Sequence, residues 1–346
     1  MLTELQIDGL RGIERAHIKG LRSLTVFIGP NGCGKTTVLE ACGAICAGEN
    51  GAALFRALAG REWLGLAGMN LWFRRNASAG VAAQFDAPLR GQESWRAAGL
   101  RLSVQGATLL SAFAFARALA EVPRGGWSAL ARVGDDGNVL EHTEGAVLAP
   151  FTLSLPHPSR AAGAKTKLDR PQYSSELRDA LSEIKLTSAY DDWFEYMREL
   201  RPSLLSIESI AVGERDEPFM FEGPPRVGYP VAFAGDGFRR SLLLNANIAR
   251  AKGGIAAIDE PEAFAHPRLH RALARVFRKA VEGGTQLLLA THSLEFLGTL
   301  LQAFEGNLDD VAVVGLNLEN GALSSTVFAG PQAYERIVEL GDDLRL

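Results

Sequence analysis

Three short runs along the chain are almost wholly apolar: Leu24 to Ile28, Gly254 to Ile258, and Thr285 to Ala290. Runs of this length, bounded by turn-forming residues, predict strands buried on both faces, as in a parallel sheet covered by helices. Residues 2–8 are strand-like as well, and residues 71–86 alternate in a way consistent with strands. A helix is predicted from Lys35 to about Ala47. Alanine and leucine content predicts another over 106–121, and residues 173–199, rich in Glu, Leu, Arg and Tyr, are helical in pattern. Asp135-Asp136-Gly137-Asn138 is a turn signal, and residues 156–171, with prolines among Ser, Gly and Lys, predict a mobile loop. Gly223-Pro224-Pro225 breaks the chain before a strand-like Tyr229 to Phe233. Asn320-Gly321, between Asp310 to Asn317 and Leu323 to Phe328, predicts a hairpin. No internal repeat is present.

The apolar runs end in chemistry. After Ile28 comes Gly29-Pro30-Asn31-Gly32-Cys33-Gly34-Lys35-Thr36, a complete Walker A loop in its strand–loop–helix setting. Its glycines let backbone N–H groups converge on phosphate oxygens, and the helix N-terminus adds partial positive charge. The candidate nucleotide-binding residues are Asn31, Gly32, Cys33, Gly34, Lys35, Thr36 and Thr37. Lys35 can reach the β- and γ-phosphates, and the Thr36 hydroxyl can ligate Mg²⁺. After Ile258 comes Asp259-Glu260-Pro261-Glu262, the form of a Walker B element. Asp259 is then a second Mg²⁺ ligand, and Glu260 the group that orients or deprotonates an attacking water. A strand merely ending in a solvated acidic turn has the same look. After Ala290 comes Thr291-His292-Ser293. His292 is placed to hydrogen-bond a γ-phosphate, while Ser293 reads as the cap of a helix starting near Leu294. Both readings of this segment are compatible.

This order resembles the ABC-type ATPase heads of the RecF/SMC superfamily, and is most similar to OLD-family and related AAA ATP-binding proteins without a fused Toprim nuclease. Leu2 to Ile13 is similar to the family's opening strand and turn. Gly235-Asp236-Gly237-Phe238-Arg239-Arg240 is similar to its shortened signature motif. Glu260-Pro261-Glu262 with His266-Pro267 resembles the Walker B and D-loop, and Ala290-Thr291-His292-Ser293 the switch histidine. The resemblance covers residues 1–45 and about 200–346. It implies an α/β P-loop fold with a mixed sheet flanked by helices and an inserted helical lobe. It also implies ATP and Mg²⁺ as cofactors, and a homodimer in which Gly235, Asp236 and Gly237 close the partner's nucleotide site. The signature serine is absent here, so Arg239 or Arg240 is the alternative source of positive charge, or simply part of a solvated helix face. Asp236 is expected to turn away from phosphate and cap a helix beginning near Phe238. The implied division is an ATPase core in residues 1–90 and 201–346 around a lobe in residues 91–200.

Composition narrows the partners. The 346 residues carry a net charge of −4, which gives no global basic footprint for nucleic acid. Local DNA contact remains open: Arg268, Arg271, Arg275 and Arg278 share one helix face, which is either a basic stripe or a solvated surface. No apolar stretch approaches a membrane span, and no signal pattern opens the chain. Three cysteines give no disulfide framework, and a cytoplasmic setting is expected. Cys42 and Cys46 are expected to share a buried helix face, and Cys33 to be incidental. Sustained heptads, a Cys-x-x-Cys hook and room for a nuclease domain are all missing from these residues. The expected function is an ATP-hydrolysing switch acting with a separate effector, in phage defence or DNA metabolism. The alternatives are an SMC-like DNA-repair head and a low-turnover ATP-binding scaffold.

Overall fold

The computed structural model describes residues 1–10, 12–46, 78–85, 97–103, 151–154, 169–213, 215–263 and 267–345. The expected helix at 106–121, the turn at Asp135, most of the 156–171 loop and His266 lie outside the described residues, as do residues 71–77.

A ten-stranded mixed sheet organises the chain. Its strands are β1 (Leu2–Leu10), β2 (Ile13–Lys19), β3 (Leu24–Ile28), β4 (Ser78–Phe85), β5 (Ala97–Ser103), β6 (Phe151–Ser154), β10 (Ile255–Asp259), β11 (Gln286–Ala290), β12 (Val311–Glu319) and β13 (Ala322–Ala329). Across the sheet they run β5-β4-β1-β2-β13-β12-β3-β11-β10-β6. The wing from β5 to β2 is antiparallel, whereas β12, β3, β11, β10 and β6 are parallel neighbours. Every residue of β3, β10 and β11 is buried, as expected for strands covered on both faces. β2 alternates buried and exposed positions instead. The β12–β13 hairpin turns at Asn320 and Gly321, both with positive φ, as a two-residue hairpin loop demands.

Gln286 joins the two halves of the sheet. Its side-chain amide donates to Leu2 O and Arg22 O, and its carbonyl accepts from Leu2 N at 2.7 Å. One buried carboxamide thereby pairs with backbone groups of two separate segments.

The helices are α1 (Lys35–Cys46), α2 (Asp169–Lys185), α3 (Ala189–Leu200), α4 (Asp236–Arg250), α5 (Pro267–Glu282), α6 (Leu294–Ala303) and the short α7 (Gly330–Tyr334). In α5, His270, Leu273, Ala274 and Phe277 recur at helical spacing and are buried. Ser293 caps α6, its Oγ accepting from Phe296 N at 3.1 Å. The core runs from the parallel strands to α2, α3, α4 and α6.

Three expectations gain detail. The helical pattern over 173–199 is present as two helices, α2 and α3. Thr187 breaks it, donating to Ile184 O and accepting from Ala189 N, so one side chain competes with the helix ladder at both ends. The proline-rich loop expected to reach residue 171 stops earlier, since α2 begins at Asp169. Pro171 falls in its first turn, where no intrahelical N–H is required. The interval 91–200 is also more than a helical lobe. β5 extends the antiparallel wing, and β6 pairs with β10 along Ile255↔Phe151 to Ile258↔Ser154.

A second sheet was not foreseen. β7 (Leu204–Val212), β8 (Arg215–Glu222) and β9 (Val227–Pro230) form an antiparallel meander. The strand expected to continue to Phe233 ends at Pro230, and a 3₁₀ turn (Val231–Phe233) leads into α4. Proline cannot donate to a ladder, which suits the end of an edge strand.

Candidate nucleotide site

Three adjacent parallel strands deliver their C-terminal ends to one place. β3 runs into the Walker A loop, β10 ends at Asp259 and β11 ends at Ala290. Ligands of such sheets bind at these strand ends.

The loop is shaped by glycine. Gly29 has φ +144°, and a Cβ there would lie 2.4 Å from Leu316 O of β12 and 2.9 Å from Cys33 Sγ. No side chain fits between loop and sheet. Cys33, expected to be incidental, is buried beneath the turn and accepts from Lys35 Nζ at 3.7 Å. Asn31 and Gly32 are exposed at the rim, Gly34 is half-buried with φ +94°, and Thr37 is buried behind the loop. The Lys35 ammonium donates to Gly29 O at 2.9 Å and Pro30 O at 3.0 Å, so it lies across the mouth of its own loop.

Thr36 and Asp259 meet across 223 residues of sequence, with Thr36 Oγ1 donating to Asp259 Oδ2 at 2.6 Å. A hydroxyl and a carboxylate are hard oxygen donors of the kind Mg²⁺ accepts alongside phosphate oxygens and waters. Among the described residues, no group of three or more His, Cys, Asp or Glu could hold a metal alone. The donor set thus fits a cation shared with a nucleotide rather than a protein-only cage.

Glu260 sits at φ +48°, the left-handed region that non-glycine residues avoid. Strain of this kind costs on the order of 1–3 kcal/mol and is held in place by surrounding structure. Here the hold is Glu260 N donating to Ala290 O at 2.8 Å. The twist turns the side chain out from the sheet, leaving it 36% exposed with Oε1 3.4 Å from His292 Nδ1. Glu262, which the sequence showed but gave no role, is buried beneath. It accepts from Thr291 Oγ1 at 2.5 Å and lies 4.0 Å from His292. Thr291 Oγ1 accepts in turn from Ser293 N at 2.9 Å. The predicted Walker A, Walker B and histidine residues are therefore assembled at one edge of the sheet.

The signature segment is positioned differently from expectation. Gly235 is the N-cap of α4 in extended conformation, and Asp236 opens the helix. Asp236 therefore caps nothing. Its exposed carboxylate lies in the first turn, favourable for the helix dipole, 3.3 Å from Arg239. Gly235 and Asp236 are exposed to solvent. Arg240, on the same helix, is half-buried within the chain. Burial pulls its guanidinium below the ordinary arginine value, and Glu260, Glu262 and Asp259 oppose that shift.

A polar brace behind this segment had no signal in the sequence. Arg201, just past α3, donates to Glu222 of β8 and to Tyr229 of β9, and its guanidinium lies 5.3 Å from the Phe238 ring of α4. Hydrogen bonds from Arg201 foremost, then from Tyr229 and Ser203, lower the Glu222 carboxyl to about 2. The unfolded value is near 4.3, so the brace stabilises fully above that pH and loses its effect as pH falls toward 2. Solvent screening of this partly exposed pair holds its contribution to about 1 kcal/mol. Denaturant melts of wild type and Glu222→Gln between pH 5 and 2 should show a shallower acid loss in the variant. Parallel curves would exclude the brace.

Two arginines of the stripe form surface ion pairs within the chain. Arg275 pairs with Glu199 at 3.0 Å, and Arg278 pairs with Glu282 and donates to Ala303 O. Arg271 is exposed, and the Arg268 side chain lies outside the described residues, as does that of Cys46. Cys42 is buried, as expected. Among the described residues no helix is long and apolar enough to cross a membrane.

The fold is that of SMC-type P-loop ATPase heads, and the strand ends carry the Walker A loop. Residues 132–298 match the family described as "AAA domain, putative AbiEii toxin, Type IV TA system", and residues 4–57 match a second "AAA domain" family. Two solved structures share the fold. An SMC head bound to the C-winged helix domain of ScpA aligns with TM-score 0.56 at 12% identity, over 95% of this chain and 97% of that one. An SMC head with an extended coiled coil, bound to a ScpA C-terminal domain and derived from Pyrococcus furiosus, aligns with TM-score 0.50 at 12% identity, over 99% of each. Uncharacterized protein MJECL11 of Methanocaldococcus jannaschii is 29% identical over 112 residues, 32% of this chain and 98% of its own length.

Proposed function

We propose that the protein is an ATP-binding and ATP-hydrolysing switch of the OLD/RecF type that works as a nucleotide-gated homodimer. The observation that carries this reading is the 2.6 Å bond between Thr36 and Asp259, which joins the Walker A and Walker B elements. In this reading the loop N–H groups and Lys35 hold the phosphates. Mg²⁺, held by Thr36 and Asp259, neutralises phosphate charge when bound. Glu260 takes the proton of a water that attacks the γ-phosphorus as the bond to the β-phosphate oxygen breaks. His292, beside Glu260, contacts the γ-phosphate and registers its loss.

The proposed dimer is head to head. Gly235 and Asp236 stand exposed at the start of α4, with Gly237 half-buried beside them, where a second copy can reach them, and an isologous contact needs only one self-complementary surface. Glu260→Gln with ATP is expected to be more dimeric than without nucleotide, since trapped ATP favours the closed state. Light scattering at tens of micromolar is the measurement. A strict monomer with saturating ATP would count against the sandwich.

The output is proposed to pass to a separate effector in the cytoplasm. The description of the matched AAA-domain family as a putative toxin of a type IV toxin–antitoxin system supports a defence role. The second reading, an SMC-like head on DNA, draws on the shared fold. The net charge weighs against it. ATP hydrolysis measured with and without DNA separates the two: stimulation favours the SMC-like reading.

A further inference from the structure

We propose that the segment 340–345 is a clamp on His292, with Arg345 as the positioning residue. The inference rests on the role given to His292 above.

The backbone around His292 is fixed on both sides. Thr291 N donates to Phe27 O at 3.1 Å, and Ser293 N donates to Thr291 Oγ1 while Ser293 caps α6. The His292 carbonyl between them accepts from Arg345 Nη1 at 2.8 Å. The imidazole itself is 55% exposed, so little packing orients it. Its aim at Glu260 is set largely by the peptide that carries it.

Arg345 is built to hold that carbonyl. Its Nε donates to Asp343 Oδ1 at 2.8 Å and its Nη2 to Asp343 Oδ2, which fixes the plane of the guanidinium and leaves Nη1 pointing at His292 O. Arg345 N also donates to Asp343 Oδ1. The segment is anchored upstream and within. Asp342 accepts from Arg336 at 2.8 Å, and the Leu344 side chain is buried in the core. Glu335–Glu339 is a π-helical turn closed by Leu340 N donating to Glu335 O. Such wide turns are uncommon and recur at functional sites. The Arg345 side chain is 37% exposed, so its pair with Asp343 adds little to global stability. Its effect is expected in geometry instead.

The test uses the full chain. Arg345→Ala should lower kcat by about 10-fold, with KM for ATP and the melting temperature nearly unchanged, as for a displaced catalytic group. Arg345→Lys should not restore the rate, because an ammonium cannot bridge a carboxylate and a carbonyl in one plane. Full rescue by lysine would overturn the clamp. In a His292→Ala background, Arg345→Ala should add nothing, and a further loss would overturn the clamp. NMR of the His292 ring reads the clamp without turnover. Arg345→Ala should shift or broaden its signals, and wild-type signals would overturn the clamp. If His292→Ala alone hydrolyses ATP normally, the role given to His292 fails, and the ring signals still decide the clamp.

Discussion

Lys35→Ala abolishes measurable ATP binding while the protein stays folded: that is the first expected result. The ammonium lies across the loop mouth, 2.9 Å from Gly29 O and 3.0 Å from Pro30 O. Those carbonyls hold it where phosphate oxygens converge in a P-loop, and charge-assisted bonds to phosphate are among the stronger contacts a protein makes. Losing them should weaken binding by at least about 100-fold, or roughly 2.7 kcal/mol. The loop itself should persist. Gly29 is wedged against Leu316 and Cys33, and α1 continues the strand–loop–helix unit whatever the side chain at 35. Equilibrium titration with a labelled ATP analogue, beside a thermal melt, makes the measurement. Wild-type affinity in the variant would remove the Walker A assignment.

The parts of this protein legible in the sequence are those set by local rules. β3, β10 and β11 could be read because a strand buried on both faces must be apolar throughout. The β12–β13 hairpin could be read because only a few residue pairs make its turn. Lys35, Thr36, Asp259, Glu260 and His292 could be placed at strand ends because each follows its strand directly. What escaped was set by partners distant in the chain. Nothing in Phe151-Thr152-Leu153-Ser154 announces a parallel pairing with Ile255 to Ile258, about a hundred residues on. Arg201 and Glu222 belong to different elements and meet only because the meander folds back on α3. Arg240 looked like either a signature cation or a surface residue, and only the packing of α4 shows it half-buried and within electrostatic range of the Walker B carboxylates. Asp236 was misplaced by a small boundary shift: starting α4 at Asp236 turns an expected cap into a first-turn acid.

Glu260→Gln should bind ATP as wild type does and hydrolyse it at least roughly 100-fold more slowly, the scale of losing a general base. Several side chains could accept a proton near these strand ends, and geometry separates them. Asp259 is engaged by Thr36 at 2.6 Å. Glu262 is buried and accepts from Thr291. Glu260 alone of the three projects into the open, carried there by a backbone twist at φ +48° that is tolerated at some cost. Glutamine keeps the shape, the twist and a contact with His292, but cannot take a proton. The loss should therefore fall on kcat and spare binding. Asp259→Ala should do the reverse, weakening Mg²⁺-dependent nucleotide binding, because Thr36 then lacks its partner across the sheet. Phosphate release at saturating ATP, paired with analogue titration, tells the two variants apart. A wild-type rate in Glu260→Gln would put the base elsewhere, and equal binding losses in both variants would mean that the two adjacent carboxylates share one role.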